Sequence, residues 1–246
     1  MKSRHVPRVA VIAGVGPSLG ASLAQRFARE GCLVALLARS TQYLDSLSTE
    51  LNAAHGQKAS LALTCDLTNP AQIATAFANV REKLGPVDVL INHASGGGGP
   101  RGASFLDLDP ATFEQAWRVG TLAALLCSRE AARDMLTTGS GSILFSGATS
   151  SVRGSAAAFS SAKFATRGLA LSLARELWPQ GIHVAHVIID GLIGDQNNGN
   201  PYSNNDGETE MHPDAMAESY WQLIRQERSA WTLELDLRPN REKFFE

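Results

Sequence analysis

The chain has 246 residues, 44% hydrophobic and 19% charged, which is enough apolar material for one large α/β domain with a sizeable core. Its formal net charge of −2 argues against nucleic acid or an anionic membrane surface as the main partner, because both select basic surfaces. Three widely spaced cysteines, Cys32, Cys65 and Cys127, supply neither a disulfide framework nor a metal-ligand spacing, and they point to a reducing compartment, taken as the cytoplasm.

The first segment, MKSRHVPRVAVIAGVG, sets basic residues before an apolar run. The run is short and lacks a small-residue cleavage pattern, so it reads as a strand rather than a signal peptide. RVAVIA (8–13) is that strand, and SLGASLAQRFARE follows as a helix ending near Gly31. LVALLA (33–38) is a second strand, followed by the helix TQYLDSLSTELNAA. ASLALTCD (59–66) is a third, followed by a helix that Pro70 opens at its first turn. VDVLINHA (87–94) is a fourth strand, and a long helical stretch over about 113–136 leads to a fifth, SILFSG (142–147). A helix carrying Phe159 and Lys163 runs to about Trp178, where Pro179 and Gly181 stop it. IHVAHVII (182–189) is a sixth strand, a last helix covers about 212–226, and AWTLELDL (230–237) is a seventh strand. No stretch is long and apolar enough to span a bilayer.

Apolar strands separated by helices predict a parallel sheet covered on both faces. Right-handed crossovers then give a single-domain, Rossmann-type, doubly wound sheet of about seven strands over residues 1–246. Two loops, SGGGGPRG (95–102) and GDQNNGNPYSNNDGETE (194–210), fall at carboxyl ends of strands, where ligands bind in such sheets.

AGVGPSLG (13–20) joins the first strand to the first helix. Glycines in that turn let the backbone approach a pyrophosphate resting on the helix N-terminus. The second strand ends in LLARS, where an NAD-binding chain usually carries an acid for the ribose 2′-hydroxyl. Ala38 and Arg39 stand there instead, and a guanidinium can pair bidentately with a 2′-phosphate, so NADP(H) is expected over NAD(H). Asp66, at the end of the third strand, is placed to accept from the adenine amino group, and Asn92 either holds its strand end or touches the cofactor.

The glycine turn, Asp66, the Asn92-His93-Ala94 stretch, Ser146 and Lys163 resemble, in order and spacing, the short-chain dehydrogenase/reductase family along nearly the whole chain. The resemblance implies a nicotinamide cofactor, a small-molecule substrate, and a homodimer or homotetramer. It implies a cofactor-contact set of Gly14, Gly16, Ser18, Leu19, Gly20, Arg39, Asp66, Leu67, Asn92, Ala94, Lys163, Gly191 and Ile193. The family works with Asn, Ser, Tyr and Lys. Ser146 matches the serine, thirteen residues before the tyrosine position, and Lys163 matches the lysine, four after it. The tyrosine position itself is Phe159, and the asparagine position is Gly120. The middle glycine of the turn is Ser18, the Asn-Asn-Ala-Gly stretch reads Asn92-His93-Ala94-Ser95, and the Pro-Gly after the sixth strand reads Asp190-Gly191. The chain is similar to an atypical subgroup with an incomplete glycine motif and no active-site tyrosine.

A benzyl ring cannot be a general acid, a role commonly contributing about 10²- to 10⁴-fold. Two expectations follow. One is an NADP(H)-dependent oxidoreductase acting on a carbonyl, alcohol or conjugated enone with a replaced proton donor, either water held by Ser146 and Lys163 or a nearby side chain, for which His93, His186 and Asp190 are candidates, Asp190 foremost. The other is a catalytically impaired NADP(H)-binding protein acting as a sensor or assembly partner.

Overall fold

The computed structural model describes residues 9–96, 104–194 and 210–241. In chain order these form β1 (Val9–Ala13), α1 (Leu19–Arg29), β2 (Leu33–Ala38), α2 (Thr41–His55), β3 (Ser60–Thr64), α3 (Pro70–Lys83) and β4 (Val89–Asn92). There follow α4 (Pro110–Trp117), α5 (Ala123–Thr138), β5 (Gly141–Ser146), α6 (Ala157–Leu177), β6 (Ile182–Ile189), β7 (Leu192–Ile193), β8 (Glu210–Met211), α7 (Pro213–Ile224) and β9 (Glu234–Leu237).

Seven strands build one sheet in the order β3-β2-β1-β4-β5-β6-β9, and every pairing is parallel. Such strands are buried on both faces, which is why β1 and β6 are apolar almost throughout and buried at every residue. Alternate side chains feed two cores. One holds Ile12, Leu36, Leu144 and Val187 under α1, α2 and α7; the other holds Val11, Leu90, Phe145 and Val184 under α3, α5 and α6. The first is anchored by Phe27 of α1 meeting Trp221 of α7 edge-on, with ring centroids 5.2 Å apart.

Local signals explain the helix starts. Asn69 accepts from the backbone N–H of Ala71 and Gln72 ahead of Pro70, and Asp109 accepts from Ala111 ahead of Pro110. The sheet reverses its winding between β1 and β4, and ligands of doubly wound sheets lie outside the carboxyl ends of the strands at that point.

Two features depart from the expected elements. The long helix over about 113–136 is a rod from Pro110 to Thr138 broken by a π turn at Arg118–Leu122. A small parallel ribbon, β7 with β8, brackets the loop after β6. Most of the two glycine- and asparagine-rich loops, 97–103 and 195–209, lies outside the described residues.

Candidate active site

Gly14 and Gly20 set the close packing of the β1–α1 turn. Gly14 has φ +102°, and a Cβ there would lie 2.4 Å from the backbone nitrogen of Ala94. A Cβ on Gly20 would lie 3.0 Å from Val15 Cα, so α1 packs tightly on the turn. Gly16 differs: nothing lies within 4 Å of its Cβ direction, and the turn is open there. The Ser18 hydroxyl donates to the Gly194 carbonyl at 2.8 Å, tying the turn to the segment after β7. Among the described residues the backbone N–H groups of Ser18, Leu19 and Gly20 make no hydrogen bond at the start of α1, an arrangement that favours anions.

From this turn an open groove of about 430 Å³ runs across the strand ends, lined among others by Gly14, Arg39, Asp66, Leu67, His93 and Ala94. Arg39 is exposed and forms no ion pair or hydrogen bond among the described residues. Asp66 Oδ1 accepts from the backbone and side chain of Thr68 at 2.9 and 2.8 Å. Those two bonds, with Arg39 nearby, hold its carboxyl below the usual range. Asn92 faces away from the groove: it is buried, donates to Ser128 Oγ at 3.1 Å, and its Oδ1 has no partner among the described residues. Gly191 is pressed against Pro239, whose Cδ a Cβ would approach to 2.7 Å, and Ile193 is half-buried in the ribbon.

Behind His93, Ser146 and Lys163 lie side by side. Lys163 is 6% exposed, its Nζ donates to the Ser146 carbonyl at 2.9 Å, and the ammonium lies 5.5 Å above the centre of the Phe159 ring. Burial pulls its pKa down to about 8. Ser146 is 4% exposed, so its hydroxyl reaches no open space. That oxygen instead lies 2.7 Å from the Tyr220 hydroxyl and 3.0 Å from His93 Nδ1. Burial, together with the Lys163 charge, pushes the His93 pKa down to about 4. Burial also raises the Tyr220 phenol.

Of the three candidate replacement donors, only His93 borders the groove. Asp190, expected foremost, is 2% exposed and locked by Thr149, by Arg153 at 2.8 Å and by Arg238 at 2.5 Å. A carboxylate held between two guanidinium groups is a structural clamp. His186 is fully buried against Glu234 at 3.1 Å, and Glu234 is itself held bidentately by Arg167. Gly120 sits in the π turn, where a Cβ would meet only Ala162 Cβ, at 3.6 Å, and the Thr166 hydroxyl of α6. Tyr220 was invisible to sequence reasoning, since nothing in PDAMAESYWQLI singles it out from a core aromatic.

A parallel doubly wound sheet with a glycine-cornered groove at its switch point defines a dinucleotide-binding α/β protein. The short chain dehydrogenase pattern matches residues 8–198, and the chain belongs to that family. It is 31% identical over 179 residues to secoisolariciresinol dehydrogenase of Forsythia intermedia, a match covering 72% of this chain and 63% of that one. Among solved structures, a short-chain dehydrogenase from Rhodopseudomonas palustris shares 35% identity at a TM-score of 0.80, covering 94% of this chain and 98% of its own. A metagenomic short-chain oxidoreductase in complex with NADP shares 26% identity at a TM-score of 0.80, covering 96% and 98%.

Proposed function

We propose that this protein is an NADP(H)-dependent oxidoreductase of a small carbonyl, alcohol or conjugated enone, of the subgroup that lacks the active-site tyrosine. The observation that carries the reading is the groove itself, with the Gly14–Gly20 turn at one end, Arg39 at its edge and buried Lys163 behind it. The residues fit a dinucleotide. The open side of Gly16 and the uncommitted N–H groups at the start of α1 suit a pyrophosphate, and the outer oxygen of Asp66 suits an adenine amino group. An exposed, unpaired Arg39 with no acid at the end of β2 favours a 2′-phosphate. Leu67 and Ala94 form groove wall against which the cofactor packs, and Lys163 is placed for the nicotinamide ribose.

Bound nicotinamide would supply or accept the hydride; the chain contributes orientation, exclusion of water and the handling of oxygen and proton. Phe159 supplies no proton, and its ring instead presents a face to the Lys163 ammonium. The exposed Phe113, Trp117 and Phe164 on α4 and α6 support self-association into a homodimer or homotetramer. Three buried cysteines outside any disulfide suit a reducing compartment such as the cytoplasm.

The test is NADPH and NADH binding by fluorescence, then NADPH oxidation with aldehydes, ketones, quinones and enones, in wild type, Phe159→Tyr and Lys163→Ala. Wild-type turnover that Lys163→Ala abolishes supports the oxidoreductase. NADPH binding without turnover, with activity appearing only in Phe159→Tyr, establishes the impaired binder instead. Absence of binding to either cofactor at millimolar concentration removes both readings.

A further inference from the structure

The phenol missing from Phe159 has a counterpart on another helix. Tyr220 of α7 is fully buried, among the residues of the α1–α7 core, and its hydroxyl reaches Ser146 Oγ at 2.7 Å. On the other side of the same oxygen stands His93 Nδ1, at 3.0 Å, with the imidazole forming part of the groove wall. The three groups make a continuous line from the apolar core to the groove.

That line has a direction. Among the described residues Ser146 is the single hydrogen-bond partner of the Tyr220 hydroxyl. If the phenol accepted from the serine, its own hydrogen would be stranded in the core without an acceptor, an arrangement that buried hydroxyls avoid. It therefore donates to Ser146 Oγ. The serine hydrogen then has His93 Nδ1 as its remaining acceptor. A ring nitrogen that accepts carries no proton, so the proton of the neutral imidazole is placed on Nε2. Nε2 makes no hydrogen bond among the described residues, and burial beside Lys163 keeps the ring uncharged.

We propose that Tyr220 and Ser146 lock His93 as its Nε2–H tautomer, and that this N–H binds and polarises the substrate oxygen in place of the absent phenol. The proposal rests on the oxidoreductase reading above. His93 is then the catalytic residue, while Ser146 and Tyr220 are positioning residues, so Ser146 leaves the catalytic place in which the family resemblance set it. In the reducing direction a bound reduced nicotinamide would supply the hydride, its own C–H bond breaking as the new one to the carbonyl carbon forms and the carbonyl π pair moves to oxygen. The Nε2–H stabilises that oxygen as charge develops, and water supplies the proton that completes the alcohol. The imidazole stays neutral throughout, acting as an electrophile rather than an acid.

Two measurements test this. The first is ¹⁵N–¹H correlation NMR of cofactor-free protein labelled at histidine, with the His93 signals assigned by their loss in His93→Gln. The expected pattern is pyridine-type Nδ1 and pyrrole-type Nε2, collapsing to a tautomer mixture in Tyr220→Phe and in Ser146→Ala. A protonated Nδ1 in the wild type, or a pattern unchanged in both variants, overturns the lock. The second is NADPH oxidation with the carbonyl panel. His93→Leu should lose about 100-fold in turnover, the effect of removing one oxyanion donor, and far less in NADPH affinity. His93→Gln, which restores an N–H donor, should recover at least about tenfold of that. Full turnover in His93→Leu overturns the catalytic assignment. Failure of the wild type to bind NADPH would sink the oxidoreductase reading and the catalytic assignment with it, while the tautomer stands or falls on the NMR result.

Discussion

Lys163 is a buried cation without a carboxylate partner among the described residues, and such a group should destabilise the fold that holds it. Its pKa falls from 10.5 to about 8 because burial penalises the charged form. That difference corresponds to ~3 kcal/mol. Between about 8 and 10.5 the unfolded chain binds a proton that the folded chain has released, so stability rises with pH across this window. Below it both states are protonated and the full cost is present at neutral pH. Lys163→Met keeps the length of the stem and removes the charge, but loses the bond to the Ser146 carbonyl and the contact with the Phe159 ring, together worth ~1–2 kcal/mol. The net expectation is a gain of ~1–2 kcal/mol at neutral pH, or a melting temperature higher by roughly 2–8 °C for a chain of this length. Above the window the gain should vanish or reverse. Thermal and urea denaturation of both cofactor-free proteins at several pH values give the comparison. A variant less stable than wild type at neutral pH, or a difference independent of pH, would refute the reasoning. The same variant should lose NADPH-dependent turnover, which would place the strain where function requires it.

Two further substitutions probe the groove. Gly14→Ala forces a Cβ into the Ala94 backbone at φ +102° and should cost ~3 kcal/mol or more of stability, read by urea denaturation, whereas Gly16→Ala has open space and should leave stability within ~0.5 kcal/mol while weakening NADPH binding. Equal effects of the two on stability would contradict the geometry of the turn. Arg39→Ala should weaken NADPH binding by about 10- to 100-fold, as expected for the loss of one or two charge-assisted hydrogen bonds, and NADH binding by less than about twofold. Loss of both affinities in parallel would remove the basis for NADP(H) preference.

The sheet was legible because each strand is a short apolar run bounded by breakers, and β6 spans the run IHVAHVII itself. The start of α3 was legible from Pro70, whereas α4 begins at Pro110 behind the Asp109 cap, about three residues ahead of the start expected near 113. The π turn was not, since RVGTL carries no signal against a continuous helix. It is held from outside: Thr121 Oγ1 donates to the Ala162 carbonyl of α6 at 3.0 Å and meets Thr166 at 3.2 Å. The bulge therefore persists without an amide at Gly120, because helix packing maintains it rather than the chemistry of that position. The β7–β8 ribbon joins two-residue strands from either side of a long loop, and a pattern of alternation cannot be read from two residues.

Site chemistry was legible only as far as it is local. Lys163 lies one helical turn beyond Phe159, so their shared face follows from the period of α6. The partners of Ser146 lie 53 residues before it and 74 after it, and they meet only because β4 neighbours β5 and α7 folds back over the same sheet face. No residue pattern encodes that meeting. Asp190 shows the converse error: a strand-end carboxylate looks available until the fold brings Arg238 to one side and Arg153 to the other. A substituted catalytic position read along the chain thus registers only what is lost at Phe159 and Gly120. What can replace the lost phenol depends on which buried hydroxyl has one partner and which ring nitrogen faces the groove, and both are properties of tertiary packing.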